Sequence, residues 1–295
     1  MLMILTLLLI FPVRGGNTVC IKLAQKGRVS TIPQSIAYIT IYTVLQAILL
    51  WAAPPYTIAP PDLKFLIFPT GYALFYFIGH ILLLKSLQLG PAAITNTIGQ
   101  FHCLVPVMFS IFYWGEKLTV FQIIGLVLFI IGLIIYNGSS VSIGDKKQKI
   151  SAKFLAYSVL SMLTIGCAVI FTKLGMATYP GYGKQYMLYY GLSASVIGIA
   201  VTLFSARREV KPLVVDKKFM LYTFIAALAI NITNTIFVTY INNFPAAVFL
   251  PSVSILSMLG ILVLSRVILK EKISKSALVS SILCIIAILC LNIKL

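Results

Sequence analysis

The chain has 295 residues, 60% of them hydrophobic and 10% charged, and its mean hydropathy is +1.03. A soluble domain of this size needs a far larger charged shell, so composition excludes that class and predicts a membrane protein with no room for a separate soluble domain. The formal net charge of +17 does not predict a nucleic-acid surface, because in so apolar a chain lysines and arginines serve to hold loops on the cytoplasmic side.

Hydrophobic runs punctuated by charges and prolines predict ten spanning helices, at about 2–24, 34–53, 63–87, 91–113, 119–138, 152–176, 185–205, 219–241, 245–267 and 275–293. The opening MLMILTLLLIF resembles the apolar region of a signal peptide. It lacks a basic n-region and a small-x-small cleavage site, so it is read as the first helix. The middle of that helix holds Arg14-Gly15-Gly16-Asn17-Thr18, a locally polar and glycine-loosened stretch. The third helix carries Tyr72, Tyr76 and His80 at i, i+4 and i+8, on one face. The fourth opens at Pro91 and holds Asn96, Gln100 and His102. Thr119 with Gln122 forms a capping box that opens the fifth. The most polar interior stretch, SSVSIGDKKQKISAK at 139–153, divides the chain nearly in half. Beyond it the polar residues at membrane depth are Thr164 in the sixth helix, Asn231 and Asn234 in the eighth, and Ser252, Ser254 and Ser257 in the ninth. Gly191 and Ser195 form a small-xxx-small pair read as packing. The five cysteines show no CxxC or metal-type spacing, so they are read as small packing residues. No metal or cofactor is expected.

Three short matches recur in the same order in both halves. Lys22-Leu23 returns as Lys173-Leu174, Pro91-Ala92-Ala93 as Pro245-Ala246-Ala247, and Glu116-Lys117-Leu118-Thr119 as Glu271-Lys272-Ile273-Ser274. Their offsets of 151, 154 and 155 residues drift as small indels would make them. The predicted organisation is a five-helix repeat at 1–138, a basic linker at 139–151 and a second repeat at 152–295. Each repeat holds an odd number of spans, so the second enters from the opposite face and the repeats are inverted, an architecture common among secondary transporters. The predicted fold is therefore an all-α polytopic membrane protein of ten transmembrane helices in two inverted five-helix repeats.

Loops after the first, third, fifth, seventh and ninth helices carry 17 of the 23 lysines and arginines, the opposite side carries five, and Arg14 lies within a span. By the positive-inside rule the larger set, linker included, is cytoplasmic, and with ten spans both termini then face outward. The expected location is the cell (plasma or inner) membrane.

The pattern resembles the EamA type of the drug/metabolite transporter superfamily. Gly115-Glu116-Lys117-Leu118-Thr119 fits the motif that closes that family's fourth helix, and Lys270-Glu271-Lys272-Ile273-Ser274 fits its counterpart after the ninth with the glycine lost. The Ile21-Lys22-Leu23 ending of the first helix and the Pro-Ala-Ala openings agree as well. The resemblance implies a secondary transporter or exporter of small metabolites that works by alternating access around a central cavity. Better-known members keep both termini in the cytoplasm, whereas the charge count here places them outside.

Polar groups at membrane depth are costly and so are candidates for the cavity. They are Arg14, Asn17, Tyr76, His80, Gln100, His102, Thr164, Asn231, Asn234 and Ser254. Arg14 could grip a carboxylate or phosphate bidentately, or it could snorkel or cap carbonyls freed at the glycines. Either histidine could carry a coupling proton or simply bond a neighbouring helix. The amides and serines could line the cavity or join helices. All six acidic residues fall at helix ends or in loops, which argues against a lipophilic-cation exchanger and for an anionic or zwitterionic, amino acid-like substrate. HExxH, paired intramembrane carboxylates and a phosphate loop are all missing from the sequence. The expected function is secondary active transport; the alternatives are a flippase for a lipid or lipid-linked metabolite, a non-catalytic membrane scaffold and, less favoured, an intramembrane enzyme. The expected partners are a small-molecule substrate and the bilayer, not nucleic acid, with a homodimer left open.

Overall fold

The apolar runs are helices in the computed structural model, which describes residues 2–52, 58–89, 95, 98–138, 151–206, 213–268 and 275–293. In chain order they are α1 (Leu2–Gln25), α2 (Ile32–Ala52), α3 (Ile67–Leu89), α4 (Ile98–Trp114), α5 (Val120–Gly138), α6 (Ala152–Thr178), α7 (Gly183–Ala206), α8 (Lys217–Tyr240), α9 (Ala246–Ile268) and α10 (Lys275–Asn292). A 3-10 turn at Lys64–Leu66 leads into α3, and another at Phe101–Cys103 lies within α4. Every described helix end falls within four residues of its expected place. The opening of the fourth span with Pro91-Ala92-Ala93 and Asn96, the linker from 139 to 150 and the motif at 270–274 lie outside the described residues. Among the described residues, six helices are long and apolar enough to cross a membrane on length and composition alone. A helix satisfies its own backbone donors and acceptors, the condition for lying in hydrocarbon, and the chain is a multi-pass membrane protein.

Local sequence sets the helix starts. Thr119 and Gln122 exchange hydrogen bonds as a capping box, Thr119 N–H to Gln122 Oε1 at 3.0 Å and Gln122 N–H to Thr119 Oγ1 at 3.3 Å. Ser151 and Asp216 accept the Phe154 and Phe219 N–H groups at the starts of α6 and α8. Gly115, at φ +63°, closes α4 in the left-handed conformation that a side chain resists.

Helix packing follows the repeat. The pairs α2–α7, α4–α9 and α5–α10 map onto themselves when each helix is exchanged for the one five places on. The same exchange turns α1–α9 into α6–α4, α3–α6 into α8–α1, α3–α7 into α8–α2, and α2–α3 into α7–α8, and all of these pairs are in contact. The crossing points correspond too. At the α1–α9 crossing Gly15 packs against the backbone of Gly260, and at the α6–α4 crossing Gly166 packs on Val105, so each residue has its counterpart 151 or 155 positions on. Gly15 therefore does not loosen α1, which runs unbroken through it; it lets two backbones meet, the usual way helices associate in lipid.

The two ends of the bundle are tied by related contacts. Asp62 accepts the Phe65 N–H at 2.7 Å and the Tyr179 hydroxyl at 2.8 Å. Its counterpart 154 residues on, Asp216, accepts the Phe219 N–H at 2.7 Å and pairs with Arg28 at 2.8 Å. Both phenylalanines are fully buried.

Two predictions follow from this packing. A methyl group at Gly260 would strike the Phe11 carbonyl, whereas at Gly16 it would meet nothing nearer than 4.0 Å. Gly260→Ala should cost about 1–3 kcal/mol as overpacking, read as a lower melting temperature in detergent, while Gly16→Ala should be neutral or stabilising. Equal melting of the two variants would contradict the crossing. At the ends, the Tyr179 hydroxyl holds the Asp62 carboxyl, and Arg28 the Asp216 carboxyl, below the ordinary aspartate range. A depressed carboxyl contributes stability that is present above its unfolded pKa of about 3.9 and lost as pH falls through the lower folded value. The melting temperature should therefore fall slightly below about pH 4, and fall less in the Asp62→Asn, Asp216→Asn double variant. The step is small because both carboxyls are exposed and solvent screens them; identical acid profiles would place the sensitivity elsewhere.

Candidate functional site

The close α1–α9 crossing fixes Arg14, the residue before Gly15, on the wall of a cavity of about 150 Å³. Arg14 donates to Ser257 Oγ on α9 at 3.3 Å, and among the described residues no carboxylate pairs with it. Its five donors far outnumber that one bond, so the guanidinium has hydrogen-bonding capacity to spare.

Opposite stands an aromatic wall. Tyr72 and Tyr76 of α3 stack at 6.0 Å, and Tyr190 of α7 meets Tyr72 edge-on at 4.8 Å. Tyr186, a turn before Tyr190, shares a hydrogen bond of 3.1 Å with Thr172 of α6. All five residues line the cavity. The spacing in α3 puts Tyr72 and Tyr76 on one side of that helix, and Tyr186 and Tyr190 repeat the i, i+4 pattern in α7.

His102 of α4 also lines the cavity. Its Nδ1 is 2.8 Å from the Gly99 carbonyl oxygen, across the 3-10 turn at Phe101–Cys103. A carbonyl only accepts, so neutral His102 carries its proton on Nδ1 and leaves the Nε2 lone pair free. His80 has the same arrangement, Nδ1 donating to the Tyr76 carbonyl at 2.9 Å, with its ring 4.0 Å from that of Tyr76.

Of the ten residues singled out by sequence, Arg14, Tyr76, His102, Asn234 and Ser254 come together on this cavity. His80 supports Tyr76 from behind. Asn17 donates to the Tyr42 hydroxyl and to the Ala226 carbonyl, both at 2.8 Å, and so joins α1 to α2 and α8. Asn231 donates to the Gln46 carbonyl at 3.0 Å, joining α8 to α2. Thr164 bonds back to its own helix at Leu160 and Ser161. Gln100 is half-buried beside the 3-10 turn, where its carbonyl accepts from the Cys103 thiol at 3.4 Å. Sequence reasoning did not select Tyr186, Tyr190 or Thr172; the i, i+4 tyrosines in an apolar run were the available signal.

The repeat is symmetric in its packing and asymmetric in this lining. Arg14 and Ile165, 151 residues apart, occupy corresponding places and both line the cavity. His102 corresponds, 155 residues on, to Ser257, the partner of Arg14. His80 corresponds, 154 residues on, to Asn234.

Lys173 requires a correction. It is one of the five basic residues counted above on the side opposite the linker, but it is not a loop charge. It is buried near the end of α6, paired with Glu116 at 2.5 Å, bonded to Ser110 Oγ at 2.9 Å and set 4.8 Å from the Trp114 ring. The second Glu116 oxygen accepts the Ala246 N–H at 2.9 Å. This carboxylate at the end of the Gly115-Glu116 turn thus binds two other helices.

Residues 1–138 match the family model described as the EamA-like transporter family. A solved crystal structure is 15% identical to the chain with a TM-score of 0.72, over 97% of this chain and 96% of that one. At that identity the likeness speaks for the fold alone, and the fold extends over both halves. No curated protein matches the chain. Over its first 138 residues, just under half of its length, the chain is thus similar to the EamA-like transporter family that its motifs resemble.

Proposed function

We propose that the protein is a secondary transporter of a small anionic or zwitterionic metabolite, bound at the Arg14 cavity and exposed alternately to the two faces of the membrane. The observation that carries this reading is a guanidinium in the middle of α1, on a cavity wall, with no carboxylate partner among the described residues. A charge there is costly and is kept where it meets an opposite charge. Arginine's planar fork suits a carboxylate or phosphate group. The free Nε2 of His102, the Asn234 amide and the Ser254 hydroxyl offer acceptors and donors for the rest of the molecule.

The halves are proposed to be the repeats at 1–138 and 152–295, joined by the linker at 139–151. Two inverted halves that meet at self-paired helices supply a two-state element, and a substrate that binds both states permits exchange between them. The excess of basic residues supports a cytoplasmic linker with both termini outside. A lipid-type substrate is the second reading. An apolar groove between α2, α7 and α8 shares Met187 with the cavity wall and so lies directly beside it.

Thermal-shift titration against anionic, zwitterionic, cationic and lysolipid ligands tests the proposal, because a ligand that binds only the folded state raises its melting temperature. An anion or zwitterion should stabilise the wild type. Arg14→Ala should weaken its binding about 10- to 100-fold, the range set by losing a charge-assisted hydrogen bond. Arg14→Lys, which keeps the charge and loses the fork, should fall between. Stabilisation by cations alone, or an anion effect unchanged in Arg14→Ala, would contradict the assignment. Stabilisation by the lysolipid alone would favour the second reading.

A further inference from the structure

The Glu116–Lys173 pair has a place in the fold that neither helix capping nor substrate binding explains. Lys173 is a buried cation whose polar contacts all come from the α4–α5 corner: the Glu116 carboxylate, Ser110 Oγ and the face of Trp114. Glu116 reaches across to the first turn of α9, where Ala246 offers an N–H that no helical carbonyl can satisfy. One carboxylate therefore ties the end of α4, from the first half, to α6 and α9 of the second.

Those three helices also carry cavity walls: α4 with His102 and Cys103, α6 with Val169 and Thr172, α9 with Val253 and Ser254. Thr172, next to Lys173, faces the cavity. The pair itself lines an open vestibule of about 500 Å³, together with Trp114, Met176, Asn242 and Phe244. The pair thus lines the vestibule, and Thr172, the residue before Lys173, lines the cavity.

We propose that this pair is the latch that holds the cavity closed toward the vestibule, and that opening on that face breaks it. The inference rests on the alternating-access reading above. A buried ion pair suits the task because its two arrangements are discrete. Joined, each charge satisfies the other; parted, both must be met by the water that an open vestibule admits. A uniformly apolar seal would open with no such threshold.

Cys103 on the cavity wall serves as reporter once Cys20, Cys167, Cys284 and Cys290 are replaced by alanine. Its labelling by a membrane-impermeant maleimide is measured from each face, in vesicles of known orientation. The Glu116→Gln, Lys173→Met double variant removes both charges together, which leaves no unpaired buried ion; its melting temperature checks that it is folded. Labelling from the vestibule face should rise on the order of tenfold, and labelling from the opposite face should fall, as a shifted two-state population requires. A rise on both faces would make the pair a structural staple and overturn the latch, and so would no change on either face. The two readings fail differently: if Cys103 in the wild-type pair is reached from only one face, or from neither, with and without ligand, alternating access itself is wrong.

Discussion

An arginine in the middle of an apolar helix has to be accommodated, and the way this chain does so orders much of what surrounds it. On insertion scales a central arginine costs about 2.5–3.5 kcal/mol, which a stray residue would not recover. Here the next residue is Gly15, which meets the backbone of Gly260, so α1 and α9 cross closely at that level. The crossing directs the guanidinium to Ser257 and the tyrosine-lined cavity instead of the lipid. Asn17, one turn further, fastens the other side of α1 to Tyr42 and to the Ala226 carbonyl. The polar stretch in the first helix thus holds two jobs that the sequence runs together: Arg14 and Gly15 build the cavity, and Asn17 anchors the helix that carries them.

The corresponding positions of the two halves agree where helices pack and differ along the cavity. Positions that pack correspond in both halves: Gly15 with Gly166, Gly260 with Val105 at the equivalent crossing, Asp62 and Phe65 with Asp216 and Phe219. Positions that face the cavity do not: Arg14 has Ile165 as its counterpart, and His102 has Ser257. Two like halves are what a rocking device needs, since each state can then resemble the other turned over. On the proposed transport function, a single asymmetric substrate would have no use for duplicated ligands, in keeping with the divergence of Arg14 and Ile165 on the cavity wall.

The helices were legible because hydrocarbon leaves few choices: about 20 apolar residues must be a helix, and charges and prolines must fall at its ends. The Thr119–Gln122 capping box was legible for the same local reason, while the equivalent bonds between Thr31 and Gln34 at the start of α2 passed unnoticed. The cavity was half legible. Charge and polarity mark Arg14 and His102, but in an apolar run a tyrosine reads as a membrane-interface or packing residue, so the i, i+4 spacing of Tyr186 and Tyr190 was a weak signal. Asn231 and Thr164 show the converse, since in lipid a polar side chain bonds the nearest carbonyl whether or not a cavity is near. Lys173 was misjudged because loop charge and buried charge look alike in sequence. Only the fold brings Glu116, 57 residues away, against it.

Exchange flux in proteoliposomes tests the central claim most directly. A radiolabelled anion or zwitterion that stabilises the protein is loaded inside, and its efflux is timed with and without the same unlabelled compound outside. Alternating access at one cavity predicts that the external compound accelerates efflux, because a loaded return step is faster than an empty one, and that Arg14→Ala abolishes both the flux and the acceleration. Efflux that is indifferent to the compound outside, or that persists in Arg14→Ala, would contradict the account.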